Sequence, residues 1–325
     1  MKAAVIREFG GPEVLRIEDL PQPELRPDEV LVAVKAASIN PRDWMIREGR
    51  YPFQALLPRF PLVLGSDVSG TVVERGRRVR SLDVGQTVFG MQPSSRGFGA
   101  YAEMIAIKAN VLAPKPPSMT HAEAAGIPLA GLTAYQGLTA CGKLVAGQRV
   151  LILGASGGVG TFATQIAHIL GAEVTGVASE GNHGLVQSLG AYRCIDYRSE
   201  DPLDPSTLDN SRPYDLVFDV IGRSSQRKAS AVMTSRGIYV TTIPRQREFL
   251  SWGQSILMGL VGVRKRASRV VLVRSSGPQL RQLAHWAAAE RLRTVIDSEY
   301  PLNGIAEAHG RSRTFRSRGK LIVTM

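Results

Sequence analysis

Val150-Leu151-Ile152-Leu153-Gly154-Ala155-Ser156-Gly157-Gly158-Val159-Gly160 sets a glycine cluster directly after an apolar strand and directly before a helical segment, Thr161–Leu170. Small residues let the backbone turn sharply and approach a pyrophosphate, which then meets free N–H groups at the positive end of the helix dipole. Against the pattern G-x-G-x-x-G, Ala155 stands at the first position while Gly157 and Gly160 match. A glycine cluster alone is most often a tight turn. With strand, helix and second strand in place, the reading becomes dinucleotide binding, and Gly154, Ala155, Ser156, Gly157, Gly158 and Val159 become candidate cofactor residues.

Downstream the chain keeps a βα rhythm. Arg149–Leu153 and Glu173–Ala178 read as strands, followed by a helix near His183–Leu189 and strands near Cys194–Ile195, Asp215–Val220 and Ile238–Thr242. Repeated βα units argue for a parallel sheet covered on both faces. A strand at Val270–Arg274, a helix at Gly277–Ala289 and the segment Thr294–Asp297 follow, and the apolar Leu321–Thr324 reads as returning to the first domain. Upstream, the first hundred residues are short β segments between Pro and Gly, including Glu29–Lys35, Asp67–Glu74, Gln86–Phe89 and Tyr101–Ile107, as in an irregular barrel. Pro114, Pro116 and Pro117 then punctuate the chain, and Thr120 with Glu123 offers a capping box to the Ala-rich helix that follows. The expected class is α/β: a Rossmann doubly wound parallel sheet plus a β-barrel domain. Residues 1–118, completed by 295–325, form the barrel, and 119–294 the dinucleotide-binding domain.

The 325 residues are 44% hydrophobic and 21% charged, enough apolar material for two cores and too little polarity for general disorder. Cys141 and Cys194 are the only cysteines, which excludes a disulfide framework and a four-thiolate zinc lobe and suits a reducing, cytoplasmic setting. The net charge is +12, of which +9 falls in residues 264–325, where thirteen Lys/Arg face four Asp/Glu. Such a face attracts nucleic acid, acidic membrane or phosphorylated cofactors, and a solvated Arg-rich surface explains it as well. Met1–Arg7 reaches charge too soon for a secretory signal. The apolar Phe249–Val263 is broken by Gln254 and falls short of the roughly 20 residues that span a bilayer, so no membrane insertion is expected.

An acidic residue ending the second strand would hold both ribose hydroxyls of NAD. Ser179 stands there, small and neutral, leaving room for a 2′-phosphate with Asn182 and His183 as donors, which favours NADPH over NADH. Glu180, one residue on, reverses that preference if it is the ribose ligand.

Several blocks together carry a resemblance over nearly the whole chain. They are Ala37-Ser38-Ile39-Asn40-Pro41-Arg42-Asp43, Pro61-Leu62-Val63-Leu64-Gly65-Ser66-Asp67-Val68-Ser69-Gly70, Gly131-Leu132-Thr133-Ala134-Tyr135, the glycine loop and Cys194-Ile195-Asp196-Tyr197. On these the chain resembles the medium-chain dehydrogenase/reductase superfamily, in its zinc-independent quinone oxidoreductase (zeta-crystallin-like) branch. The resemblance implies a GroES-like domain joined to a Rossmann domain, with cofactor and substrate in the cleft between them. It implies that Asn40 and Thr133 approach the nicotinamide end as the catalytic pair. Gly157, Gly158 and Val159 would meet the pyrophosphate, Ser179, Asn182 and Tyr197 the adenosine ribose and its 2′-phosphate, and Val220, Ile221, Thr242 and Ile243 the nicotinamide ribose. A lysine that some relatives carry near Asn182 is absent. Each side chain also has a plainer role open to it: Thr133 as a helix cap, Asn40 as a turn brace, Tyr197 in packing.

Zinc alcohol dehydrogenases of the superfamily place a thiolate after the second β segment and a His-Glu pair where this chain reads Gly65-Ser66-Asp67. Ser66 is no zinc ligand, and Asp43 and Asp67 lack a nearby Cys or His, so no metal is expected. Hydride transfer from NADPH to an acceptor already activated by conjugation, a quinone or an α,β-unsaturated carbonyl, is the implied chemistry, with water as proton source. The acceptor pocket is expected from Trp44, Tyr51 and Phe53, and 249–263 is open as pocket wall, dimer contact or core helix. A homodimer is expected to pair through an edge strand at Gly237–Thr242. Two rivals stand: an enoyl-thioester or polyketide-type enoyl reductase, and a dinucleotide sensor or nucleic-acid-binding protein without turnover, for which no recognition motif is present and no nucleic acid is expected.

Overall fold

The computed structural model describes residues 1–51, 60–93, 99–243, 253 and 266–325. Its internal contacts divide the chain into two compact units, Met1–Leu132 with Arg274–Met325, and Thr133–Val273. Among the described residues no helix is long and apolar enough to cross a membrane.

The first unit is built on β1 (Lys2–Ile6), β2 (Arg16–Asp19), β3 (Glu29–Ile39), β4 (Leu62–Val63), β5 (Asp67–Arg75), β6 (Thr87–Met91), β7 (Met104–Lys108), β8 (Leu112–Pro114), β15 (Ile296–Pro301) and β16 (Lys320–Thr324). A three-stranded sheet runs β2-β1-β4, and a seven-stranded sheet runs β15-β16-β3-β5-β6-β8 with β7 added on β3. Strand β3 is buried along nearly its whole length because β5, β7 and β16 all pair with it. It outlasts the expected Glu29–Lys35 by four residues. Ala36, Ala37 and Ser38 have little β propensity of their own and are held by two antiparallel neighbours, β16 and β5. Val30, Val32, Val68, Val72, Val88, Ile105, Leu321 and Val323 fill the core of this first unit.

The second unit is a six-stranded parallel sheet made of β9 (Arg149–Leu153), β10 (Glu173–Ala178), β11 (Arg193–Asp196), β12 (Tyr214–Asp219), β13 (Met233–Thr241) and β14 (Ala267–Val270). The order β11-β10-β9-β12-β13-β14 reverses direction between β9 and β12, the topological switch point of a Rossmann fold. Arg149-Val150-Leu151-Ile152-Leu153 is buried throughout, as a strand covered on both faces must be.

Two expectations are corrected here. Gly237–Thr242 is not a sheet edge: it lies in β13, which β12 and β14 flank on both sides. The last strand lies at Ala267–Val270, earlier than Val270–Arg274, because its partner β13 ends at Thr241 and the ladder stops with it. Leu272, from the apolar run that suggested the later position, is 49% exposed.

Candidate active site

The glycine loop leaves β9 at Gly154, whose φ of +87° is a conformation that side chains disfavour. The N–H groups of Gly154 and Ala155 both donate to the Val177 carbonyl on β10, at 3.1 and 3.0 Å, tying the turn to the neighbouring strand. Helix Gly158–Ile169 then starts from Gly157 with no side-chain cap. A Cβ on Gly160 would run into the Gly154 carbonyl, so this glycine sets how closely helix and strand pack. A Cβ on Gly157 would meet only that same carbonyl oxygen, at 3.6 Å. Tight turn, close approach and helix packing thus fall on Gly154, Gly157 and Gly160. Ala155 is tolerated because its methyl is buried against Gly176 of β10, which has no Cβ of its own. The loop fits a dinucleotide: an uncapped twelve-residue helix points its N-terminus at a position where the backbone is bare.

At the end of β10, Asn182 Nδ2 donates to Ser179 Oγ at 3.0 Å and to Ser156 Oγ at 3.4 Å, linking this segment to the glycine loop. The buried Asn182 Oδ1 has no hydrogen-bond partner among the described residues. His183 Nε2 lies 3.2 Å from the Ala178 carbonyl, so the ring is turned back onto the strand. Tyr197 is 55% exposed, with the Arg198 guanidinium 6.0 Å from its ring centroid. Glu180 is exposed.

The loops after β12 and β13 are locked together. Asp219 ends β12 fully buried, and its Oδ1 accepts from the N–H of Ile221 (2.9 Å) and Gly222 (2.8 Å), its Oδ2 from Ser224 N–H (3.0 Å) and Tyr239 O–H (2.8 Å). Thr242 Oγ1 donates to the Val220 carbonyl at 3.3 Å, and Ile243 N–H to Thr241 Oγ1 at 3.3 Å. Ile221 and Ile243 are left 39% and 43% exposed, with Ile221 packed over Gly154. Thr133 belongs to the same unit and sits inside helix Pro128–Gln136, almost fully buried, where it cannot cap the helix start.

In the first unit, Asn40 precedes helix Pro41–Arg47 and stands in a buried polar cluster. Asn40 Nδ2 donates to Asp67 Oδ2 at 2.9 Å, and Lys320 Nζ donates to Asn40 Oδ1 at 2.7 Å and to the Ile39 carbonyl at 3.3 Å. Asp67 also accepts from Ser38 Oγ (2.8 Å) and Leu129 N–H (3.0 Å), with Lys320 Nζ 3.8 Å away. Asp43 Oδ2 accepts from Asn40 N–H (2.8 Å) and Tyr101 O–H (2.7 Å). Among the described residues, Asp43 Oδ1 and the Arg42 Nε that faces it at 4.0 Å have no hydrogen-bond partner, nor has the fully buried Ser66 Oγ. Two carboxylates committed in this way, beside Asn40 and Ser66, do not make a zinc site, and no group of His, Cys, Asp or Glu among the described residues could hold a metal ion.

Trp44 is buried, with its ring edge-on to Phe315 at 5.6 Å, and Tyr51 packs on the barrel core. Phe53 and the segment 249–263, apart from Gly253, lie outside the described residues. Lys320, Tyr101 and the bracing role of Asp219 escape a sequence reading. Lys320 has one faint signal, a lysine opening the apolar run Leu321–Thr324.

Burial raises Asp43 from 3.8 to about 6, against Arg42, Tyr101 and the Asn40 N–H, which favour the carboxylate. Burial lowers His309, bonded to the buried Arg47 at 3.1 Å, from 6.5 to about 3. Between pH 3.8 and 6 the folded chain holds a proton on Asp43 that the unfolded chain has released, so this group lowers stability as pH rises. Between pH 6.5 and 3 the unfolded chain protonates His309 and the folded chain does not, so this group lowers stability as pH falls. The two slopes oppose each other from about pH 4 to 6. Asp43→Asn removes one of them, and its stability in urea is expected to fall with acid more steeply than the parent's, by about 1.4 kcal/mol per pH unit. Parallel pH profiles for parent and variant would show that Asp43 does not titrate in this range.

Comparison with known proteins agrees with this geometry. The family model described as an alcohol dehydrogenase GroES-like domain matches residues 26–117, and the one described as a zinc-binding dehydrogenase matches 189–323. The chain is 34% identical to the mitochondrial NAD(P)H oxidoreductase RTN4IP1 of Homo sapiens, over 100% of this chain and 89% of that protein. It is 34% identical to the chloroplastic NADPH-dependent alkenal/one oxidoreductase of Arabidopsis thaliana, over 99% of this chain and 79% of that one. Among solved structures, the quinone oxidoreductase from Coxiella burnetii superposes with a TM-score of 0.89 at 31% identity, over 100% of this chain and 99% of that chain. With a GroES-like domain, a Rossmann sheet and no zinc donors where zinc relatives carry them, the chain belongs to the medium-chain dehydrogenase/reductase superfamily, in its zinc-independent quinone oxidoreductase branch of NAD(P)H-dependent oxidoreductases.

Proposed function

We propose that this protein is an NADPH-dependent reductase of quinones or α,β-unsaturated carbonyls that works without a metal. The observation that carries the choice of NADPH is the end of β10, where half-buried Ser179 and Asn182 face Ser156 of the glycine loop while Glu180 is turned out to solvent. An acid at the ribose would repel a 2′-phosphate; Ser179 and Asn182 offer it neutral polar groups. The relative from Arabidopsis thaliana, named NADPH-dependent, supports the same choice.

Bound NADPH supplies a hydride, which an enone accepts at its β-carbon while its oxygen becomes an enolate that takes a proton from water. The protein's work is placement and charge. The helix that starts at Gly158 holds the pyrophosphate, and Ile221 and Ile243 offer an apolar surface at the sheet's switch point. Asn40 and Thr133 are assigned to the nicotinamide end as part of the same proposal. A cytoplasmic, reducing setting belongs to the same proposal, supported by two free cysteines; the curated relatives are named mitochondrial and chloroplastic, and cell fractionation decides.

Paired titrations with NADPH and NADH, read by nucleotide fluorescence, test the proposal. NADPH is expected to bind at least about tenfold more tightly, a difference of about 1.4 kcal/mol, and to be oxidised when a simple quinone or enone is added. Tighter NADH binding would assign the ribose to Glu180, and binding without oxidation by either acceptor would remove the reductase assignment.

A further inference from the structure

We propose that Lys320 is a positioning residue for this reaction: together with Asp67 it fixes the Asn40 side-chain amide in a single orientation. The proposal rests on the reading of Asn40 as a residue of the nicotinamide end. An asparagine amide has an accepting oxygen and a donating nitrogen of nearly equal size, and only its neighbours decide which way it points. Here the neighbours leave no freedom. Asp67 Oδ2, 2.9 Å away, can only accept, so the nitrogen must face it. Lys320 Nζ stands between two carbonyl oxygens, Asn40 Oδ1 at 2.7 Å and Ile39 O at 3.3 Å, so it donates to both. A flipped amide would set donor against donor at Lys320 and acceptor against acceptor at Asp67.

The frame that holds this pair is rigid. Lys320 opens β16 and is 3% exposed, and the following Leu321 pairs directly with Ile39 in β3. Asp67 opens β5 opposite Ser38, fully buried, with its other oxygen on the Leu129 N–H. Two strands that meet β3 from opposite sides therefore each deliver one half of the clamp to the residue where β3 ends and helix Pro41–Arg47 begins. Among the described residues, the charged and titratable groups around the amide are Lys320, Asp67, Asp43, Arg42 and Tyr101, and of these two cations Lys320 alone bonds the amide. A lysine in so dry a place is costly unless it is paired, and an apolar residue would pack there as well if packing were its whole purpose.

The test uses the full-length chain, NADPH and 2-cyclohexen-1-one or 1,4-benzoquinone, with Lys320→Met, Lys320→Arg, Asn40→Ala and the double variant Asn40→Ala/Lys320→Met. Lys320→Met is expected to lower kcat by roughly 10- to 100-fold while NADPH affinity changes less than about twofold, because a misdirected group harms the reacting geometry and not cofactor binding. Lys320→Arg, which keeps a donating cation but enlarges it in a buried site, should retain more activity than Lys320→Met. In the Asn40→Ala background, Lys320→Met should cost less than about twofold more, because its effect passes through the amide that is gone. Full additivity in that cycle, or a Lys320→Met enzyme within about twofold of the parent, overturns the proposal. If Lys320→Met does not fold, Lys320→Met/Asp67→Asn removes the buried charges as a pair, and parent-like kcat in that variant overturns it equally. A parent chain that oxidises NADPH with neither acceptor overturns the functional reading and this inference together; an active parent with an indifferent Lys320 overturns this inference alone.

Discussion

Replacing Gly157 by aspartate is expected to leave the fold as stable as the parent or slightly more so, and to weaken NADPH binding by roughly 100- to 1000-fold. The two halves of this result come from one position. Gly157 is the N-cap of helix Gly158–Ile169, with φ −83° and ψ 177°, a conformation any residue adopts. Its missing Cβ would touch only the Gly154 carbonyl, at 3.6 Å, so a side chain fits without strain. Aspartate is a better N-cap than glycine by a few tenths of a kcal/mol, because its carboxylate accepts from the helix's free N–H groups. In the proposed binding mode those same N–H groups are the ones that meet the pyrophosphate. A carboxylate about 4 Å from a phosphate charge costs about 4 kcal/mol at the effective dielectric of a protein surface, which is roughly three decades of affinity. Thermal melting and NADPH fluorescence titration on the same preparation separate the two halves. Unchanged affinity would move the cofactor away from this loop, whatever the melt showed.

The second unit was legible because its signals are local. An apolar strand, a glycine turn and a helix follow one another within about twenty residues, and each βα repeat announces its neighbour in the sheet. The capping box at Thr120 and Glu123 is of the same kind: Glu123 N–H donates to Thr120 Oγ1 at 3.1 Å and Thr120 N–H to Glu123 Oε2 at 2.8 Å, so four residues of sequence contain the whole motif. Where a strand depends on its partners, the reading slips. The Ala36-Ala37-Ser38 stretch of β3 carries little strand signal of its own, and pairing with β5 and β16 makes it a strand. The position of β14 is set by where β13 stops, which the run Val270-Val271-Leu272-Val273 does not record.

The candidate site divides along the same line. Gly154, Gly157 and Gly160 could be assigned from their order, although the structure moves the tight turn from the first fingerprint position to Gly154. Asn40 could be named, but not its surroundings, because Lys320 reaches it from 280 residues away. Lys320 is one of thirteen basic residues in 264–325, and composition alone makes all thirteen look like a solvated face. What sets it apart is burial, which depends on β16 docking beside β3. Trp44 shows the same limit: its ring meets Phe315, contributed by the far end of the chain, a neighbour that local spacing does not record.

Asp219 leads to the other large effect, since Asp219→Ala is expected to destabilise the second unit by about 3–5 kcal/mol. Its carboxylate satisfies four donors, and three of them, the N–H groups of Gly222 and Ser224 and the Tyr239 hydroxyl, are in buried bonds that water does not replace. Each donor left unmet in such a place costs about 1–3 kcal/mol, partly relieved as the Val220–Ser224 loop relaxes. The isosteric Asp219→Asn is expected to be nearly as harmful. Oδ1 receives two donors and Oδ2 the other two, so an amide nitrogen on either side faces two N–H or O–H groups that it cannot accept. Shape is preserved and the bonds are not. Because Ile221 packs over Gly154, release of this loop should also loosen the glycine turn, and NADPH affinity should fall together with stability in both variants. Chemical denaturation gives the first quantity and nucleotide titration the second. An Asp219→Asn protein within about 1 kcal/mol of the parent would mean that the loop keeps its shape without the carboxylate, and the route from the end of β12 to the cofactor site would then rest on the packing of Ile221 alone.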